Sequence, residues 1–390
     1  MRAEAAISAG GDWRSVLESM QSRLSMPTSD ETVDLVLLFA SDAYADEFNE
    51  LVAAVRWMTG ARVVVGCSGS GIIGPHREIE DEPAISLQLF SLPGADLRPV
   101  KVSQMDLMAE DDAWLRNLPA AGDLNAWLMF ADPFSIDSEA LLKRFSELYD
   151  GKPLIGGLAS GNYRRRKTFL FLDDEVLDDG AVALSIGGAF TVKSVVSQGC
   201  APIGETWTIT AAEGNVIQTI GMRPALEVLV DTFQALPPET QERARSNLLI
   251  GLAMNEYRDE FGRGDFLIRN LMGVDHQSGS ITVGAEPRVG QTLQFQLRDA
   301  EAADDELVTL LNMARNDLSG DFPAVGALLC CCNGRGAGLF GESNHDVRKL
   351  EEVLGPMPVA GFFCNGEIGP VGGQNFLHGF TASLALIIPV

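Results

Sequence analysis

Val33-Asp34-Leu35-Val36-Leu37-Leu38-Phe39-Ala40 is an apolar run that turns at Ser41-Asp42, and the chain then changes period. Over residues 45–58 the apolar side chains Phe48, Leu51, Val52 and Val55 recur at helical spacing. A second apolar run, residues 62–67, ends in Ser68-Gly69-Ser70-Gly71, and a third covers residues 84–92. Strand, helix, strand and glycine loop together form one unit, and the unit recurs.

The second copy starts with the run 127–131, turns at Asp132-Pro133, and continues as a helix over about 138–149 with Leu141, Leu142, Phe145 and Leu148 inward. Pro153-Leu154-Ile155-Gly156-Gly157 and the loop Ala159-Ser160-Gly161-Asn162 follow, with strands expected at 168–172 and 181–187. The third copy opens at 325–332 and passes through Asn333-Gly334-Arg335-Gly336-Ala337-Gly338. Ser343 is placed to cap a helix through Leu354, with Asp346 at the capping-box position. Residues 359–363 then lead into Cys364-Asn365-Gly366-Glu367, and 380–388 is the last strand. Two strands joined across a helix run parallel, while the short connection to the third does not allow another crossover. The expectation is an α/β protein of mixed sheets built from repeated strand–helix–strand–Gly-loop units, in two domains. Between the second and third copies the pattern is mostly β, with helices at 224–233, 239–247 and 304–315. The domain reading is an N-terminal extension at 1–32, helical from Trp13, then domains at 33–222 and 223–390.

Composition narrows the function classes. The formal net charge of −25 at pH 7 repels phosphate backbones and anionic lipid, so neither nucleic acid nor membrane is expected as a partner. No apolar stretch approaches the ~20 residues of a spanning helix, and the N-terminus does not read as a secretory signal. The adjacent Cys330, Cys331 and Cys332 sit in an apolar run and read as small core residues, not as a disulfide framework. A cytoplasmic location is expected.

Gly69-Ser70-Gly71-Ile72-Ile73-Gly74 matches a dinucleotide-binding pattern, but Pro75-His76 and a charged turn stand where a helix should begin, so a glycine-rich turn is the better account. Ser68 and Ser160 end strands without the flanking glycines of a nucleophile elbow. The cysteines lack the spacing of a zinc site. No catalytic residue, metal or cofactor is assigned. Arg164-Arg165-Arg166-Lys167, the one basic run, reads as a solvated hairpin tip or an anion site, and Arg263-Gly264-Asp265 carries no adhesion reading in a cytoplasmic chain.

Asn333, Arg335, Asn365, Glu367 and His378 all fall near strand ends of the third copy. Open α/β sheets bind ligands at such rims. Glu367 can meet an amine, Arg335 can grip a carboxylate in two hydrogen bonds, and the asparagines donate and accept. That set suits a zwitterion. The same residues also allow a structural reading in which Arg335 and Glu367 pair and brace two loops. An enzyme using Cys332 or Cys364 with His345 or His378, and a scaffold that docks protein on its polar rim, are the further alternatives.

The series from Gly361 through Pro370, with Asn375 and His378-Gly379-Phe380-Thr381, resembles the signature end of the FIST C-terminal domain, and Asn333-Gly334-Arg335-Gly336, Phe266-Leu267-Ile268-Arg269-Asn270 and Gly290-Gln291 fit it. Gly66-Cys67-Ser68-Gly69, Gly157-Leu158-Ala159-Ser160-Gly161 and Gln198-Gly199-Cys200-Ala201-Pro202-Ile203-Gly204 resemble the FIST N-terminal domain. The resemblance implies a stand-alone sensory module that binds a small molecule, amino acids among the candidates, and acts on a signalling protein. It adds Ser68, Ser160, Arg269 and Asn270 to the ligand-binding set.

Overall fold

Residues 1–25, 32–109, 118–161, 166–245, 247–258, 260–262, 264–318 and 324–390 are described by a computed structural model. The extension 1–32, expected to be helical, begins instead with strand β1 (Arg2–Ala9). Asp12 then caps α1 (Trp13–Gln21), whose Trp13, Val16, Leu17 and Met20 are buried. The first copy follows as β2 (Leu35–Ser41), α2 (Phe48–Thr59) and β3 (Val63–Gly69). Phe48, Leu51, Val52 and Val55 are buried, and Gly60 ends α2 in the left-handed conformation. After β3 comes strand, not the helix N-terminus a dinucleotide site needs: the hairpin β4 (Ile72–Gly74) and β5 (Arg77–Ile79) precedes β6 (Ala84–Ser91), β7 (Ala95–Val102) and α3 (Gln104–Met108).

The second copy is β8 (Ala126–Ala131), α4 (Ser138–Leu148), β9 (Leu154–Leu158), the hairpin β10 (Leu170–Leu172) and β11 (Glu175–Leu177), β12 (Ala181–Gly188) and β13 (Phe190–Ser197). Then come β14 (Ala201–Glu213), β15 (Val216–Ile220), β16 (Arg223–Pro224), α5 (Ala225–Ala235), α6 (Pro238–Ala244), β17 (Leu248–Ala253), β18 (Phe266–Asp275), β19 (Ser280–Val283), β20 (Thr292–Leu297) and α7 (Ala300–Asp317). The third copy is β21 (Gly326–Cys332), α8 (Gly336–Phe340), α9 (His345–Leu354), β22 (Val359–Cys364), the hairpin β23 (Glu367–Val371) and β24 (Gln374–His378), and β25 (Ala382–Pro389).

Two compact units result. The larger comprises Met1–Val196 and Leu311–Val390, the smaller Ser197–Leu310. The boundary read from sequence at 222/223 therefore falls within the smaller unit. There, β14, β20, β17, β18, β19 and β15 pair antiparallel in that order, and β15 pairs back to β14, closing a barrel around Ile209, Ile217, Ile250, Ile281 and Phe295.

The larger unit holds all three copies, each at the heart of a six-stranded sheet. In every copy the two strands flanking the helix are parallel and the third is antiparallel, giving the mixed sheets expected. The hairpins are exchanged in rotation: β4–β5 docks on β22, β10–β11 on β3, and β23–β24 on β9. The outer strands rotate likewise, β7 on β12, β13 on β25, and β1 on β6. One core is shared by all three sheets. At its centre Phe39, Phe130 and Phe362 meet, with ring centroids 5.0–5.9 Å apart. Phe39 faces Cys67 and Phe130 faces Gly157 in their parallel pairs, whereas in the third copy Cys330 faces Phe362. The large ring has moved to the neighbouring strand and the small residue has taken its place, which conserves packed volume.

Candidate functional site

Strand register makes the copies comparable residue by residue. Leu38 lies opposite Gly66, Met129 opposite Gly156, and Leu329 opposite Gly361. A Cβ on these glycines would stand 1.7, 1.9 and 1.8 Å from the carbonyl oxygen opposite, so the close approach of the strands admits no side chain. Four residues beyond each glycine come Ser70, Ser160 and Asn365, each followed by another glycine. These three residues are equivalent, and the structure brings them together.

The Ser160 amide donates to Ser68 O at 3.1 Å and the Asn365 amide to Leu158 O at 3.1 Å. For the third such link a hydroxyl is interposed: the Ser70 amide donates to Ser160 Oγ at 2.8 Å, and Ser160 Oγ donates to Phe363 O. Ser68 Oγ donates to Ser160 O at 2.8 Å. Over this buried ring lies an exposed one. Ser70 Oγ donates to Asn333 Oδ1 at 2.6 Å, Asn333 Nδ2 to Asn365 Oδ1 at 2.9 Å, and Asn365 Nδ2 to Ala159 O at 2.9 Å. Ser70, Asn333 and Asn365 are solvent-exposed, while Ser68 and Ser160 are buried.

Glu367 opens β23, where its counterparts are apolar. It lies opposite Gly157, as Leu170 lies opposite Cys67 and Ile72 opposite Phe362. Two copies bury a hydrocarbon there; the third buries a carboxyl that is 0% exposed. Glu367 Oε2 accepts the Thr381 amide at 2.9 Å and Oε1 lies 3.1 Å from the Cys364 thiol. Burial pushes its pKa up to about 8, against the Thr381 amide, the Cys364 thiol and the Arg335 charge. His378 faces Glu367 across the β23–β24 pair, with Nε2 3.0 Å from Gly369 O.

Arg335 does not pair with Glu367, as the structural reading of the sequence supposed. It is 1% exposed and holds Asp346 through Nε at 2.7 Å and Nη2 at 2.8 Å. Its two-bond grip on a carboxylate is therefore taken up within the protein. Asp346 also contacts His345 Nδ1 at 3.0 Å and accepts the Cys331 thiol at 3.3 Å. Burial alone would raise its pKa; the Arg335 guanidinium overrides that and holds Asp346 well below the usual carboxylate range. The expected Ser343–Asp346 capping box is absent, because Asn344, left-handed at φ 66°, precedes α9 and Asp346 turns inward to Arg335. Asn344 Oδ1 accepts the Glu78 amide at 2.7 Å, and Glu78 Oε1 accepts the Val347 amide at 2.8 Å. Glu78 Oε2 is buried with no hydrogen-bond partner among the described residues. Burial, then Asp346, pushes the Glu78 pKa up to about 8.

Ser70 and Glu78 were not among the sequence candidates. The recurring Gly-x-x-x-Ser/Asn-Gly spacing carries the signal for Ser70; Glu78 has none, because its hairpin docks on a different copy. Arg269 and Asn270 belong to the smaller unit, on β18, where Arg269 Nη1 donates to Ile268 O at 3.0 Å. Of the basic run, Arg164 and Arg165 lie outside the described residues, as does Arg263. Lys167 pairs with Asp178 at 2.8 Å and Arg166 stacks over Phe134. The Cys364 thiol is committed to Cys331 O and Glu367, and burial pushes its pKa well above the ordinary thiol value, the opposite of what a nucleophile needs. No group of three or more metal-type side chains gathers among the described residues, and no helix among them is long and apolar enough to cross a membrane.

Two relatives match this chain over nine-tenths or more of its length. The uncharacterized protein Rv0628c of Mycobacterium tuberculosis is 39% identical over 392 residues, covering 100% of both chains. The uncharacterized protein Mb0898c of Mycobacterium bovis is 39% identical, covering 92% of this chain and 91% of its own. Among solved structures, a cyanuric acid hydrolase from A. caulinodans superposes at TM-score 0.36 with 8% identity, over 99% of this chain and 98% of that one. A likeness that low carries no argument about this chain. The FIST N domain matches residues 34–223 and the FIST C domain residues 225–370. The chain belongs to the FIST family.

Proposed function

We propose that this protein is a non-enzymatic small-ligand sensor of cytoplasmic signal transduction, with its ligand bound on the exposed ring formed by Ser70, Asn333 and Asn365. FIST domains are generally taken as sensory domains for small ligands. The observation that carries the assignment to this rim is the convergence of exposed hydroxyl and carboxamide groups from separate copies onto one spot. Carboxamides donate and accept equally, so they can meet both ends of a zwitterion; an amino acid is the ligand class this chemistry favours. Ser68, Ser160, Arg335, Glu367 and His378 then hold the rim in shape. Arg269 and Asn270 stand as candidates on the smaller unit. The partner that reads the bound state is a signalling protein.

Thermal-shift screening of the full chain against amino acids and small carboxylic acids tests this. A ligand at a hundred times its Kd adds about 2.7 kcal/mol to stability. The expected result is a saturable rise in Tm that Ser70→Ala and Asn333→Ala each abolish while leaving the unliganded Tm nearly unchanged. A saturable rise that survives both substitutions removes the rim from the proposal. No saturable rise across the screen removes the ligand class.

A further inference from the structure

At the opposite end of β2 from the rim, roughly 20 Å away at about 3.3 Å per residue, the larger unit contains a cavity of about 460 Å³. That volume lies within the ordinary range for small-molecule sites. Its lining includes Met1, Arg2, Asp34, Arg62, Leu92 and Gly94. Two guanidinium groups at one concavity are unexpected in a chain with 29 basic and 54 acidic residues.

The repeat separates what the fold needs here from what it does not. Asp34 braces the turn after β6 by accepting the Leu92 amide at 2.7 Å. Its register counterpart in the second copy is Asn125, which braces the corresponding turn by donating to Gly188 O at 3.2 Å and Phe190 O at 2.8 Å. The brace thus works with a neutral side chain. Arg62 reaches Asp34 Oδ1 at 3.1 Å through Nη1, with its side chain 68% exposed. The positions equivalent to Arg62, counted back from the conserved-register glycines, are Lys152 and Met357, and Asn125 makes its bonds without calling on Lys152. Arg62 is therefore surplus to the architecture. Its Nε and Nη2 make no hydrogen bond among the described residues. Arg2, paired with Glu4, stands on β1 at the same cavity.

We propose that this cavity is a second ligand site, for a small molecule bearing an oxyanion group, with Arg62 as the principal anchor and Arg2 as the second cation. A planar guanidinium fork matches carboxylate and phosphate oxygens alike. The acidic surface elsewhere keeps extended polyanions away while leaving this concavity open to a small anion.

Isothermal titration of the full chain with inorganic phosphate and, separately, with succinate at constant ionic strength tests the site and distinguishes the two sources of oxyanion. A saturable heat is expected with at least one probe. Arg62→Ala should weaken it about ten-fold or more, the range set by loss of a charge-assisted hydrogen bond. Asp34→Asn preserves an acceptor for the Leu92 amide and removes the competing carboxylate, so it should bind the anion more tightly than the wild type. Unchanged thermal unfolding of both variants shows that the fold is intact. The proposal is overturned by absence of saturable heat with both probes, by Arg62→Ala binding as the wild type does, or by Asp34→Asn binding more weakly.

Discussion

Gly66, Gly156 and Gly361 mark where the three copies are least free to vary. Each sits in the middle of a parallel pair at a point where a methyl group would overlap a backbone carbonyl oxygen, at 1.7–1.9 Å. The clash is with backbone on a buried strand, so no side-chain adjustment relieves it. Gly361→Ala should therefore cost more than the 1–3 kcal/mol typical of overpacked cores, and the variant is expected to lose cooperative unfolding or soluble expression. Gly373→Ala is the control: Gly373 is left-handed, at φ 82°, which Gly361 is not, but nothing lies within 4 Å of its Cβ position. It should cost only the left-handed penalty of about 1–2 kcal/mol, measured by urea unfolding followed by far-UV circular dichroism. Equal effects of the two substitutions would show that the strands can separate. The same residue scale explains why Ser70 escaped detection in the sequence. A serine beside two glycines reads as part of a turn, and only alignment of the three copies on their buried glycines reveals that Ser70, Ser160 and Asn365 share one position.

The hairpin β4–β5 and the helices α8 and α9 belong to different copies, and polar contacts running from the surface inward join them. Glu78 accepts the Val347 amide, Glu80 accepts the Ala337 amide at 2.9 Å, and Glu351 meets His76 at 2.7 Å. Arg335 and Asp346 lie fully buried within this joint. Desolvation makes such a pair a poor source of net stability but makes breaking it costly. Asp346→Ala is expected to destabilise the protein by about 3–5 kcal/mol, whereas Arg335→Met with Asp346→Leu should recover most of that loss. Chemical denaturation of the single and double variants provides the comparison; a double variant no better than the single would mean that the ion pair itself holds the hairpin. Strands and helices of the repeat were legible from pattern alone, since Leu35–Ser41 and Val63–Gly69 are short apolar runs buried along their whole length, while Phe48–Thr59 buries one face at helical spacing. The hairpins were not. Residues 72–79 look like a charged turn because Pro75, His76, Arg77 and Glu78 separate the pair Ile72-Ile73 from the lone Ile79, and their burial depends on a partner strand nearly 300 residues away, β22. The Asp346 reading failed for a related reason: local spacing suggested a helix cap, and a long-range guanidinium claimed the carboxylate.

At the scale of the larger unit, exchange of hairpins among three sheets buries two carboxyl groups, Glu367 and Glu78. Glu367 and Glu78 each have a pKa pushed up to about 8, burial being the first cause in both. In the unfolded chain both ionise near the ordinary value of 4.5. Between those limits the folded protein holds protons that the unfolded chain has released, so stability falls as pH rises from about 4.5 to about 8 and levels off above it. Each group can contribute a slope of at most about 1.4 kcal/mol per pH unit in that window. Asp346, held low by Arg335, acts in the opposite sense: its contribution is present above the ordinary aspartate range and is lost only as pH falls below it. The net charge of −25 adds self-repulsion as the remaining acids ionise. Greatest stability is therefore expected at mildly acidic pH, near 5, and the urea midpoint should decline steadily towards pH 8. Glu367→Gln keeps the neutral shape of the protonated acid and should flatten that decline, raising the midpoint relative to the wild type at pH 8 more than at pH 5. Glu78→Gln should do the same independently, because the two carboxyls accept from different amides, Thr381 and Val347. If neither substitution alters the slope between pH 5 and 8, the two groups are ionised in the folded protein, and the Arg335 charge must then be shared among three carboxylates instead of held by Asp346.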